Sequence, residues 1–230
     1  MDSVKTNKHG FSKVQAKGGW LLALLLAPAV LSGCAATLHP PPPPNDPAPV
    51  VVLDHGRHNS LVLVVTDDRV MRYAFGEWRW YVDGETGLMR SLDALLRPTP
   101  AALGRMRLSG PPEPDCWVDQ VGSEIRQVLV FSAERAKVAR LAERIDALFD
   151  NAEVSPHYSQ MLNLEFVLDE RSYTLGYNSN HQVVAWLEAL GFEVRGSPAL
   201  GWLRPDQAER SASADSSRCS ALIHSDSSDS

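Results

Sequence analysis

Side chains able to exchange a proton or take a new bond fall in three short stretches. His55-Gly56-Arg57-His58-Asn59 leads into the apolar run Leu61 to Val65, Glu77 stands between Phe75-Gly76 and Trp78-Arg79, and Tyr177-Asn178-Ser179-Asn180-His181 opens an amphipathic segment. Histidine titrates near neutrality and serves as a general base. A hydroxyl becomes a nucleophile only when a base removes its proton during attack. A helix start favours negative charge through its unpaired N–H groups and its dipole. Each residue also has a plain structural use. Ser179 is a preferred helix cap and Asn178 a preferred turn residue, while Glu77 beside Arg79 reads equally as a solvated or ion-paired carboxylate. His55 and His58 are three apart, but a loop does not give them the fixed facing that makes such a pair ligand-like, so no metal site is expected. No glycine-rich phosphate loop, Cys-x-x-Cys or His-Glu-x-x-His occurs, and no cofactor is expected.

The elements that would hold these residues mix strand and helix. Val50 to Leu53 and Leu61 to Val65 are β-branched runs, Arg72 to Phe75 and Trp78 to Tyr81 read as strand, and Arg105 to Leu108, Ile125 to Phe131 and Glu165 to Leu168 look extended. Trp78, Trp80 and Tyr81, at strand spacing, read as a core face plus rim or as a binding platform. Ser91 is expected to cap a short helix carrying Leu92, Leu95 and Leu96, ended by Pro98. The clearest helix runs from Ala133 to about Phe149, capped by Ser132, with Val138, Leu141, Ala142, Ile145, Leu148 and Phe149 on one face. Asn180 to Leu190 predicts a second, with Val183, Val184, Leu187 and Leu190 inward and Gly191 as stop. Helices interrupting short strands indicate an α+β domain.

Taken together, His58-Asn59-Ser60-Leu61-Val62-Leu63 and Tyr177-Asn178-Ser179-Asn180-His181 resemble the circularly permuted branch of the papain-like hydrolases. In that branch, which includes NlpC-type and lecithin:retinol acyltransferase-like proteins, a strand histidine precedes a helix-start cysteine. Residues 50 to 200 are more closely similar to an uncharacterised bacterial family of lipoproteins and membrane-anchored proteins, sometimes encoded near urease genes. Its His-Gly-Trp-His-Thr opening, Phe-Gly-Asp/Glu segment, Trp-Pro-Thr turn and Asn/Thr-Cys-Asn helix start correspond here to His55-Gly56-Arg57-His58-Asn59, Phe75-Gly76-Glu77-Trp78, Arg97-Pro98-Thr99-Pro100 and Asn178-Ser179-Asn180.

The resemblance implies a single α+β domain with a permuted papain-like fold, a small antiparallel sheet packed against helices. It places Ser179 at the nucleophile position, His58 as base and Glu77 as the group orienting His58, with Asn178, His181 and His55 around the pocket. It also requires the Ser179 hydroxyl to lie within hydrogen-bond reach of the His58 ring. The family has cysteine where this chain has Ser179. A helix N-terminus and a neighbouring imidazole stabilise a thiolate, whereas a hydroxyl is far harder to ionise. Two functions are therefore expected in order: a non-catalytic or degenerate binding domain for an envelope peptide, glycan or acyl ligand, then a Ser/His hydrolase or acyltransferase acting on envelope amide or ester bonds. A purely structural envelope protein without a pocket is a third.

The N-terminus bears on location. Lys5, Lys8, Lys13 and Lys17 precede the apolar run Trp20 to Val30, which ends in Leu31-Ser32-Gly33-Cys34. A basic flank, a short apolar run and small residues make a secretory signal. The last four residues resemble the bacterial lipobox, in which the cysteine is acylated and the peptide before it removed. The expected organisation is a signal peptide over 1–33, a lipidated Cys34 with a proline-rich stalk over 34–49, a globular domain over 50–205 and a serine-rich disordered tail over 206–230. Seven of the ten positions from Pro40 to Pro49 are proline, which favours an extended spacer. Ala35 after the cysteine points to the outer membrane, facing the periplasm, with the inner membrane as the alternative. Losing residues 1–33 removes four of the 22 Lys and Arg and one of the 28 Asp and Glu, deepening the formal charge from -6 to -9. That balance argues against a nucleic-acid partner. The expected partners are the membrane, through Cys34, and peptidoglycan, a peptide or a lipid. Cys34→Ser is expected to move the protein from the membrane fraction to the soluble fraction; retention at the membrane would remove the lipid anchor from this reading.

Overall fold

In the computed structural model, residues 35–84 and 97–206 are described. Along the chain the strands are β1 (Ala35–His39), β2 (Pro47–Asp54), β3 (Asn59–Thr66), β4 (Arg69–Glu77), β5 (Thr99–Leu108), β6 (Gln127–Glu134), β7 (His157–Ser159), β8 (Leu164–Tyr173), β9 (Glu193–Gly196) and β10 (Trp202–Pro205). The helices are α1 (Trp78–Tyr81), α2 (Arg135–Asp150) and α3 (Ser179–Leu190). The expected helix at Ser91, Cys34 and the tail beyond Asp206 lie outside the described residues.

The runs expected as strands are buried on consecutive residues, as they must be in a sheet covered on both faces. β2 and β3 pair antiparallel with Val51 opposite Val62. They belong to a seven-stranded antiparallel sheet of order β6-β2-β3-β4-β5-β8-β7, larger than the small sheet expected. Val50, Val52, Leu61, Leu63, Tyr73 and Phe75 meet the inner faces of α2 and α3 on one side. Val51, Leu53, Val62 and Val64 meet Trp117 and Val121 on the other. The class is mixed α+β.

Three expectations are corrected. Trp78 to Tyr81 form a helical turn, because Glu77 caps it by accepting the Trp80 N–H (2.8 Å) and the Tyr81 ring folds back over Gly76, where a Cβ would stand 1.8 Å from the ring. Ser132 does not cap α2. Ser132 and Ala133 stay in β6, opposite Pro49 and Ala48, and the first helical N–H, that of Arg135, finds the Asp46 carbonyl at 2.9 Å. The buried face is otherwise as expected, except that Leu148 is 51% exposed.

The third correction concerns the stalk. Residues 35–39 are a strand between two partners, parallel to β10 and antiparallel to β9, with Ala36 and Leu38 wholly buried. Pro47 and Pro49 belong to β2, beyond the end of its pairing with β3, so their missing N–H groups leave no gap on that side. The folded unit therefore starts by Ala35 rather than Val50. Leu38→Ala is expected to lower the unfolding free energy by about 2–5 kcal/mol in urea denaturation; a free spacer would show no change.

Candidate functional site

The cap that starts α3 sets where Ser179 points. Asn178 is extended, and its Oδ1 accepts the N–H groups of Asn180 (3.0 Å) and His181 (3.4 Å). His181 folds back, its Nδ1 at 2.9 Å from Asn178 Oδ1 and 3.4 Å from the Asn178 amide nitrogen. One ring nitrogen cannot donate and accept at once, and the shorter contact makes it a donor to Oδ1. Asn178 Nδ2 donates to the Ala199 carbonyl at 3.0 Å. Asn178 thus serves as a cap tied to the 199 segment, and His181 as its brace, stacked against Tyr177.

His58 reaches this turn from the other end of the domain. The loop before β3 closes with the His55 N–H donating to the His58 carbonyl (2.8 Å), and the His58 ring meets the edge of Tyr81. Its Nδ1 lies 3.1 Å from Ser179 Oγ, the contact the resemblance requires. Burial, and then the Arg57 charge, hold the His58 pKa below its ordinary value. The ring is neutral at pH 7, so it supplies no imidazolium to pair with a bound anion. The Tyr173 phenol stands beside Ser179, and burial pushes its pKa up to about 12.

Glu77 is not in the orienting position. Its carboxylate faces the Trp80 amide, and among the described residues no carboxylate hydrogen-bonds the His58 ring. His55 is not at the cavity either. Its Nδ1 donates to the Glu124 carbonyl (2.8 Å), which fixes the tautomer, so Nε2 accepts from the Ser60 hydroxyl (3.0 Å). Ser60 in turn accepts from Arg72 Nε (3.2 Å). Burial, then the Arg72 charge, lower the His55 pKa to about 4. Arg72 is 2% exposed and burial lowers its pKa to about 10, so it stays charged, with no carboxylate bonded to it among the described residues.

Beside this network opens a cavity of about 620 Å³. His58, Glu77, Tyr81, Tyr173 and Asn178 form part of its wall. Trp80, Leu175, Leu200 and Trp202 add apolar surface, and Arg57 and Arg126 add two cations. Ser179 is not on the wall. It is 1% exposed, behind His58 and Tyr173. Of the residues expected around the pocket, Asn178 lines it and His55 and His181 do not. Tyr173, Arg72 and Arg126 were not singled out by sequence; an arginine inside the apolar run Val70 to Phe75 was the one visible sign of the buried cation. Comparison of the chain with protein-family models, with curated proteins and with solved structures finds no match.

The histidine shifts set a pH dependence. Unfolded, His55 takes a proton near its ordinary 6.5; folded, only near about 4. Between those values the unfolded chain binds more protons, so the stabilisation is full above pH 6.5 and is lost as pH falls toward 4. His58 acts in the same direction. The urea midpoint is expected to fall across this window, and His55→Gln to flatten the fall; an equal slope in the variant would show that His55 titrates normally in the fold.

Proposed function

We propose that this chain is a lipid-anchored envelope protein, attached through Cys34, whose domain is a permuted papain-like fold working as a non-catalytic binding module. The observation that carries the reading is the separation of Ser179 from the open cavity. A nucleophile must present its oxygen to a substrate carbonyl. Here the hydroxyl is buried and bonded to His58, while the neighbouring cavity has the size and the mostly apolar lining of a ligand site. The order of the parts, histidine before β3 and Ser179 at the start of α3, supports the permuted papain-like assignment. The expected location is the periplasmic face of the outer membrane, with the inner membrane as the alternative.

A Ser-dependent hydrolase or acyltransferase is the second reading, favoured by the 3.1 Å contact between His58 and Ser179. It has His58 accept the hydroxyl proton, but with no carboxylate on the ring among the described residues and with the ring pKa lowered. A fluorophosphonate probe separates the two. The binding reading expects no label on the wild type. Strong labelling that disappears in Ser179→Ala would establish the hydrolase instead.

A further inference from the structure

Of the large apolar side chains exposed on the described surface, three stand together on the rim of this one cavity. Leu175 is 48% exposed, Leu200 44% and Trp202 42%, and Trp80 extends the same surface inward. A clustered apolar rim marks a contact site more strongly than the same residues scattered. Charge is placed on the rim as well. Arg57 and Arg126 are exposed, and neither guanidinium has an ion-pair partner among the described residues. Glu77 is the acid on the wall, and it faces the Trp80 amide. His58 is neutral, and the buried Arg72, beside Tyr81, adds a further positive charge behind the wall. A chain with a formal charge of -6 therefore places two exposed arginines at one cavity mouth among the described residues.

The rim also has a defined position relative to the anchor. Trp202 is the strand partner of Ala35, and Ala35 follows Cys34. Paired strands lie about 5 Å apart, so the rim is within a few residues' reach of the lipid attachment point. Tryptophan and arginine are the side chains that settle at a membrane surface, one in the interfacial layer and the other on anionic headgroups.

Resting on the binding reading above, we propose that the cavity takes a lipid-derived amphiphile with an anionic head, drawn from the leaflet that holds the anchor. Arg57 and Arg126 hold the carboxylate or phosphate head. Trp80, Leu175, Leu200 and Trp202 receive the chain. No bond is made or broken.

The test uses the full chain carrying Cys34→Ser, so that the attached acyl groups do not compete, and 11-(dansylamino)undecanoic acid as probe. Dansyl emission is expected to rise on binding and to be reversed by oleate and by lysophosphatidylglycerol, but not by oleyl alcohol. Arg57→Gln with Arg126→Gln, both surface positions, is expected to weaken the probe roughly tenfold or more, as loss of charge-assisted hydrogen bonds does. Trp202→Ala is expected to weaken oleate and lysophosphatidylglycerol alike. Equal displacement by oleate and oleyl alcohol, or full affinity in the double variant, would overturn the anionic head. A tripeptide ending in D-alanyl-D-alanine that displaces the probe while the lipids do not would overturn the lipid and leave the binding module standing. Fluorophosphonate labelling of Ser179 would end the binding reading itself, whatever the lipids do.

Discussion

The first turn of α3 is buried together with its polar groups, and the placing of the surrounding segments follows from that. Asn178, Ser179, Asn180 and Gln182 are all buried, although a helix start leaves N–H groups without helical partners. Each buried group left unmet costs about 1–3 kcal/mol. Asn178 Oδ1 meets two of the N–H groups, and other segments meet the side-chain amides. Asn59 Nδ2 bridges Asn180 Oδ1 (2.9 Å) and the Gly201 carbonyl (3.0 Å), and Asn180 Nδ2 donates to the Arg57 carbonyl (3.0 Å). Gln182 Oε1 receives Tyr177 and Arg171. The loop before β3 and the segment before β10 are thereby fixed to one helical turn, and these are the segments that wall the cavity.

The same network decides what Ser179 can do. The Ser179 hydroxyl meets the neutral His58 ring, and freeing it would unpair that ring nitrogen. The charge buried beneath the wall is Arg72, bonded to Ser60 and the Leu162 carbonyl. Its position fixes His55, and through the 55–58 loop it bears on His58.

How much of this was legible depended on how local each cause is. α3 was legible because Val183, Val184, Leu187 and Leu190 recur at helical spacing and Gly191 ends the helix at φ 101°. β2 and β3 were legible because their runs are apolar throughout. β1 was not, because its partners β9 and β10 lie more than 150 residues away and prolines dominate the sequence that follows it. The turn at Trp78 was hidden by aromatic residues that favour strands, and only Glu77 as cap and Gly76 as a seat for Tyr81 override them. The pairing of His58 with Ser179 was expected from resemblance alone, 121 positions apart. Tyr173, Arg72 and Arg126 belong to no motif, and their roles come from the register of β8 and β4 and from the loop that sets Arg126 against Gly56.

Gly201 joins the buried network to the open rim. Its φ of 85° lies in the left-handed region, and a Cβ there would stand 3.0 Å from the Arg57 carbonyl oxygen and 3.2 Å from Asn180 Nδ2. Asn59 holds the carbonyl of the same residue. Leu200 and Trp202, on either side of it, are thus exposed side chains on a backbone clamped to the helix start. Apolar groups on a mobile loop would collapse onto the nearest cover and would have to be ordered again for each ligand. Fixed in place, they keep the cavity open, and little side-chain ordering remains to oppose binding.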